Sequence, residues 1–246
     1  MILEAKDLTV QLGSQAVLHS INAPLQPGSV TAICGPNGAG KSTLLSALAG
    51  LVDAESGAVL LDGKNVGETH PRTRAQTIGY LPQSGEVAWD VSVRSLVALG
   101  RMPHGDSDPV PVENAIAALD LQEFANRPMS QLSGGEKARA LLARVLAGEP
   151  DWILADEPLA ALDLAHQLSI LRHLRKAADE GAGVVLVLHD LALAMNHADR
   201  VLVLDEGALV ADAPPVKALS EATIAKVWGV AANWLGEDGA KALVAR

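Results

Sequence analysis

Short apolar runs recur along the chain, most of them ending at a glycine or a charge. VTAIC (30–34), AVLLD (58–62), IGYL (78–81), WILA (152–155), VVLVL (184–188) and VLVLD (201–205) lack the polar alternation of a half-wet strand. VTAIC reads as a buried strand and the others as strands. Between them the spacing turns helical, with Leu44, Leu45 and Leu48 in 41–49 and Leu168, Leu171 and Leu174 in 165–180. Buried strands alternating with helices predict a covered, mostly parallel sheet. Residues 84–150 differ: 91–99, 112–121 and 136–147 all favour helix, and proline-rich MPHGDSDPVP (102–111) reads as a loop. That stretch is expected to form an inserted helical lobe. The first thirty residues alternate short strand candidates with turns at Leu12-Gly13-Ser14 and Gln26-Pro27-Gly28, and no internal repeat is visible.

Composition narrows the class. A chain of 246 residues, 49% hydrophobic, can bury a sizeable core as one large domain or two small lobes. No apolar run approaches the about eighteen residues needed to cross a bilayer. MILEAKDLTV carries Glu4 and Asp7 and lacks a basic n-region, so it does not read as a signal peptide. A net charge of −10 argues against a nucleic-acid surface. Cys34 is the only cysteine, which excludes an intrachain disulfide and suits a reducing compartment; within its strand it is expected to be buried and inert. The expectation is a soluble cytoplasmic protein.

The chemistry is concentrated in GPNGAGKST, residues 35–43. Strand, glycine loop, then helix is the context in which Gly35…Gly40-Lys41-Ser42 predicts phosphate binding rather than a plain glycine-rich turn. Such a loop turns backbone N–H groups inward as an anion nest, and the helix start adds orphan amides and a positive dipole end. Lys41 can reach the β- and γ-phosphates, and the Ser42 hydroxyl can ligate Mg²⁺. LSGGE (132–136) sets a serine and two glycines directly before the helix expected over 136–147. By itself it reads either as a second anion site or as an ordinary N-cap. WILADEP (152–158) is an apolar strand ending in the carboxylates Asp156 and Glu157, where an Mg²⁺-binding aspartate belongs.

In this order the pieces resemble the ATP-binding subunit of ABC transporters, over about residues 2–228. Walker A is GPNGAGKST, the glutamine loop is Leu81-Pro82-Gln83, the signature is LSGGE, Walker B is ILADEP, the D-loop is Ala161-Leu162-Asp163 and the switch histidine is VLHD with His189. The resemblance implies an α/β fold: a P-loop ATPase core with a mostly parallel sheet, an antiparallel β layer and an α-helical lobe inserted at about 84–150. The nucleotide-binding domain would span 1–230, with a tail at 231–246. The resemblance further implies that ATP and Mg²⁺ bind a head-to-tail homodimer. Gly35, Pro36, Asn37, Gly38, Ala39, Gly40, Lys41, Ser42 and Thr43 of one subunit would face Ser133, Gly134 and Gly135 of the other. Ser42, Gln83 and Asp156 would serve the metal, Glu157 would deprotonate the attacking water, His189 would contact the γ-phosphate, and Asp163 would couple the two sites. The family usually stacks an aromatic on adenine; here that position falls on Leu12, which has no π-face.

Finer features resemble the importer subfamily for ferric siderophores, haem and cobalamin. They are LGRMPH (99–104), DLAHQ (163–167), His189-Asp190-Leu191, ADR (198–200) and VWGV (227–230). Arg101 and His104 fit that reading or that of solvated loop residues. The subfamily implies an integral membrane permease, a periplasmic or surface substrate-binding protein and a place on the cytoplasmic face of the cell membrane, with no nucleic acid. A non-transport ABC ATPase usually carries tandem cassettes or a long coiled coil, and neither is present. A small-molecule P-loop kinase would leave LSGGE unexplained.

Overall fold

The computed structural model describes residues 1–83, 90–160 and 162–246. Residues 84–89, where the expected helical stretch begins, and Ala161 of the Ala161-Leu162-Asp163 motif lie outside them. The chain opens with two long antiparallel strands, β1 (Leu3–Leu12) and β2 (Gln15–Leu25). It enters a second sheet as β3 (Val30–Cys34), runs through α1 (Lys41–Leu48), and returns to the first sheet as β4 (Ser56–Leu61) and β5 (Lys64–Asn65). Next come α2 (Pro71–Thr77) and β6 (Ile78–Leu81). The described residues from there to β7 (Trp152–Asp156) carry helices alone as regular elements, chiefly α3 (Val93–Ala98), α4 (Pro109–Ala118) and α5 (Gly134–Ala147). α6 (Leu164–Asp179), β8 (Gly183–Val187), α7 (Leu191–His197), β9 (Arg200–Asp205) and β10 (Ala208–Ala213) complete the second sheet. α8 (Pro215–Ala218), α9 (Glu221–Trp228) and a hairpin of β11 (Ala232–Leu235) and β12 (Ala242–Ala245) follow.

The second sheet has the order β10-β9-β3-β8-β7-β6, parallel throughout except for the β9–β10 hairpin. β3, β7 and β8 are buried at every position, which is why their sequences run apolar without alternation. Alternate residues serve opposite cores: Ile33, Val185 and Leu202 pack with α1 and the antiparallel sheet, while Ala32, Val184 and Val201 pack with α6 and the helices from 93 to 147. Cys34 is fully buried in the second core, and burial pushes its thiol up to about 12, so it stays protonated and inert.

Two expectations change. MPHGDSDPVP is only in part a loop, because Asp108 accepts the Val110 N–H at 2.9 Å and Pro109 opens α4, where a missing N–H costs nothing. Arg101 and His104 are not free loop residues: Arg101 is 8% exposed and its guanidinium bonds Asp106, Glu149 (2.9 Å) and the Ala147 carbonyl, while half-buried His104 meets the Gly148 carbonyl through Nε2 at 2.9 Å. They pin the turn after α3 to the C-terminal end of α5. The stretch 231–246 is an ordered hairpin, held by Trp234 Nε1 donating to the Leu219 carbonyl and by a reciprocal pair between the Asn196 amide and the Lys241 backbone, each at 2.8 Å.

Candidate functional site

The cradle forms where β3 leaves the middle of the sheet. Gly40 is the N-cap of α1 in the left-handed region (φ +94°), and no side chain caps the helix. A Cβ there would stand 2.7 Å from Leu18 Cδ2 and 3.0 Å from the Val17 carbonyl oxygen, so only glycine lets the loop lie against β2. Lys41 is 6% exposed and donates to the carbonyls of Gly35 (2.9 Å) and Pro36 (2.8 Å). Burial lowers its pKa, and the nearby Glu157, Cys34 and Asp156 oppose that shift. The loop opens on a cavity of about 250 Å³, walled by Asn37, Gly38, Lys41, Ser42 and Thr43 on one side and by Glu157 and His189 on another.

The opposing wall is set by strand register. β6, β7 and β8 are adjacent and parallel, pairing Leu81 with Ala155 and Asp156 with Val187. Gln83, Glu157 and His189 therefore emerge together at the carboxyl edge, where ligands of open α/β sheets collect. Asp156 is 4% exposed and accepts the Ser42 hydroxyl at 3.1 Å. Burial raises its pKa, the Ser42 hydroxyl opposes this, and the Glu157 charge adds to it. Glu157 adopts φ +49°, a left-handed conformation that costs a non-glycine residue about 1 kcal/mol or more. In this conformation its carboxylate is held from both sides: Gln83 Nε2 donates to Oε2 at 2.7 Å, and His189 Nε2 meets Oε1 at 2.5 Å. Ser42 and Asp156 are hard oxygen donors beside a polyphosphate cradle, which fits Mg²⁺ held by few protein groups plus substrate phosphates. The Gln83 amide donates through nitrogen, leaving its oxygen for such a cation.

The signature lies elsewhere in the same chain. Ser133 caps α5, its Oγ accepting the Glu136 N–H at 3.3 Å, while Glu136 Oε2 accepts the Ser133 N–H at 2.7 Å. This reciprocal box starts the helix at Gly134, so both glycines sit inside its first turn rather than before it, as the spacing had suggested. The Ser133 N–H also holds the Glu136 carboxyl below the usual carboxylate range. Asp163 caps α6 and its carboxyl is similarly lowered, chiefly by the His166 N–H. Ser133, Gly134, Gly135 and Asp163 do not line the cavity at Lys41, and neither does Leu12, which is exposed at the end of β1. Val17 of β2 does line it. No motif marks that valine; only the packing of β2 against Gly40 brings it there.

Residues 18–160 match the model of the ABC transporter family. The hemin import ATP-binding protein HmuV of Rhodococcus jostii (strain RHA1) is 44% identical over 232 residues, covering 92% of this chain and 80% of that protein. A solved metal-chelate type ABC transporter in an inward-facing conformation superposes with a TM-score of 0.84 at 26% identity, over 99% of this chain and 97% of that one. A dimeric ATP-binding cassette in a post-hydrolysis state, bound to ADP and Pi, gives 0.78 at 26% identity, over 87% and 98%. By its sequence and its fold, this chain belongs to the ABC transporter family, as an ATP-binding subunit that hydrolyses ATP.

Proposed function

We propose that the chain drives import of a metal chelate, haem foremost with ferric siderophores and cobalamin as the related cargoes, through a separate membrane permease. The observation that carries the motor reading is Glu157, strained into the left-handed region and held between Gln83 and His189 across the cavity from Lys41. The chelate reading is supported by the relative that imports hemin and by the structural neighbour of metal-chelate type.

In the mechanism, the amides of 35–43 and Lys41 hold the β- and γ-phosphates, Lys41 exchanging its two carbonyl partners for phosphate oxygens. Ser42 and Gln83, with Asp156 beside them, would hold Mg²⁺, which would neutralise phosphate charge there. Glu157 orients and deprotonates the attacking water, and His189 fixes that water against the γ-phosphate. Ser133 and Gly135 of a second copy close the site from the other side, with Asp163 coupling the two. Leu12 packs apolar surface against the base, so discrimination against GTP is modest. Because the interface is ordered only with the γ-phosphate present, hydrolysis opens it.

Among the described residues no helix is long and apolar enough to cross a membrane, so work is delivered to a partner. A groove of about 460 Å³ between α2 and the turn after α3 carries exposed Leu51, Leu99 and Met102. It is the seat for the permease, on the cytoplasmic face of the membrane, and Gln83 links it to the γ-phosphate. The test is reconstitution of two copies with the co-purified permease in liposomes, together with its binding protein. ATP-driven uptake of labelled haem or another metal chelate is expected; transport of amino acids or sugars alone would sink the chelate reading and leave the ATPase intact.

A further inference from the structure

A second imidazole lies where two of these motifs meet, and nothing above assigns it a task. His166 stands in the first turn of α6. Its backbone N–H donates to Asp163 Oδ1 at 2.9 Å, and its Nδ1 meets the same oxygen at 2.7 Å. The other side of the ring closes on the signature helix. A Cβ built on Gly135 would lie 3.1 Å from Cδ2, 3.2 Å from Cγ and 3.3 Å from Nε2 of His166. Gly134, one residue earlier, would meet nothing within 4 Å.

A Cβ at 135 would make the imidazole give by a few tenths of an ångström, whereas one at 134 would meet nothing. Gly135 has no positive φ, so its backbone does not require glycine, and a helical glycine costs about 1 kcal/mol against alanine. What alanine would lose at 135 is the close approach of the imidazole. The first turn of α5 and the Asp163 turn are thus joined through one ring, packed on Gly135 and hydrogen-bonded to Asp163.

We propose that His166 is a positioning residue that locks the signature turn to the Asp163 turn of its own subunit, so that both meet the partner subunit as one rigid surface. The proposal rests on the head-to-tail reading above. A shift of Ser133 and Gly135 on meeting the partner's γ-phosphate then carries Asp163 with it, and occupancy of one ATP site is transmitted to the other. His166 is itself more than a third exposed at its side chain, so its removal leaves the core intact.

The experiment uses the full chain with Glu157→Gln to stall hydrolysis, and measures ATP-dependent dimerisation by light scattering. Glu157→Gln alone is expected to dimerise with ATP. Adding His166→Ala should raise the ATP concentration needed by about tenfold, a coupling loss of ordinary size, while thermal melting and nucleotide affinity of the single subunit stay unchanged. In the hydrolysing chain, His166→Ala should lower the Hill coefficient for ATP toward one. His166→Asn, which can keep a side-chain hydrogen bond to Asp163, should recover part of the lost ATP-dependent dimerisation, which a purely steric role would not predict. Dimerisation of Glu157→Gln/His166→Ala at the same ATP concentration as Glu157→Gln would overturn the inference. If Glu157→Gln itself never dimerises with ATP, the head-to-tail reading fails first, and that result is distinguishable.

Discussion

Two helices of this chain begin at glycine-rich turns, and they treat their first amides in opposite ways. α1 is entered through Gly40, has no side-chain cap and no acidic residue in its first turn, and carries buried Lys41 at its head. α5 is entered through Ser133, whose hydroxyl already takes one orphan N–H, and its first turn carries the Glu136 carboxylate. The first end is open to an anion; the second is closed by its own capping box and has a negative charge in place. The signature is therefore no free-standing phosphate site. It can add donors only to a phosphate that another cradle already holds, which is what a site shared between two subunits requires.

The strongest way to break this contrast is at the cradle. Glu157→Gln removes the proposed base while keeping the hydrogen-bonding shape, and should lower turnover by about 10²-fold or more, with ATP binding retained. Near-normal steady-state hydrolysis by that variant would show that the left-handed carboxylate is not the base.

Asp156 sharpens the comparison through stability. Its folded-state pKa is raised by burial, so the stability it contributes is present below the unfolded carboxylate value and lost as pH rises through the folded one. The ionised form is therefore a net cost to folding. Asp156→Asn should abolish hydrolysis and yet stabilise the nucleotide-free chain by about 1 kcal/mol, a gain that shrinks on acidification. Denaturant titration at two pH values checks this; destabilisation at neutral pH would contradict it.

The smallest effect belongs to the other helix. Ser133→Ala should cost about 1 kcal/mol as a lost N-cap and lower the melting temperature by about 2–4 °C. The Glu136 half of the box has a depressed pKa, so its contribution is present above the unfolded carboxylate value and fades as pH falls through the folded one. Nucleotide affinity of a single subunit should not move, since Ser133 is not part of the cavity at Lys41. A clear loss of that affinity would mean that the two ends communicate within one chain.

VTAIC and VVLVL were legible because burial on both faces leaves an unbroken apolar run: β3 coincides with the first and β8 starts one residue before the second. AVLLD, in contrast, became β4 of the antiparallel sheet, with Val59 its one buried position. β1 and β2 read only as fragments because register shifts and positive-φ Asp7 and Ser20 erase their alternation. α2 (PRTRAQT) has no buried residue and so no apolar stripe to read, although His70 and Pro71 do mark its start. At the site, the motif residues announce their chemistry by type and spacing. The left-handed backbone of Glu157 and the approach of Val17 come from packing between segments far apart in sequence, which no local pattern encodes.

The central claim, that neither helix end suffices without the other subunit, is tested most directly by mixing two broken chains. Lys41→Ala disables the cradle and Ser133→Arg blocks the signature, and each homodimer should be inactive. In a mixed dimer, the good cradle of one chain faces the good signature of the other, leaving one intact site out of two. The measurement is ATP hydrolysis by the refolded equimolar mixture, in which about half of the dimers are mixed by symmetry. The account predicts that turnover returns, up to about a quarter of the wild-type level. A mixture as inactive as its parts would contradict it.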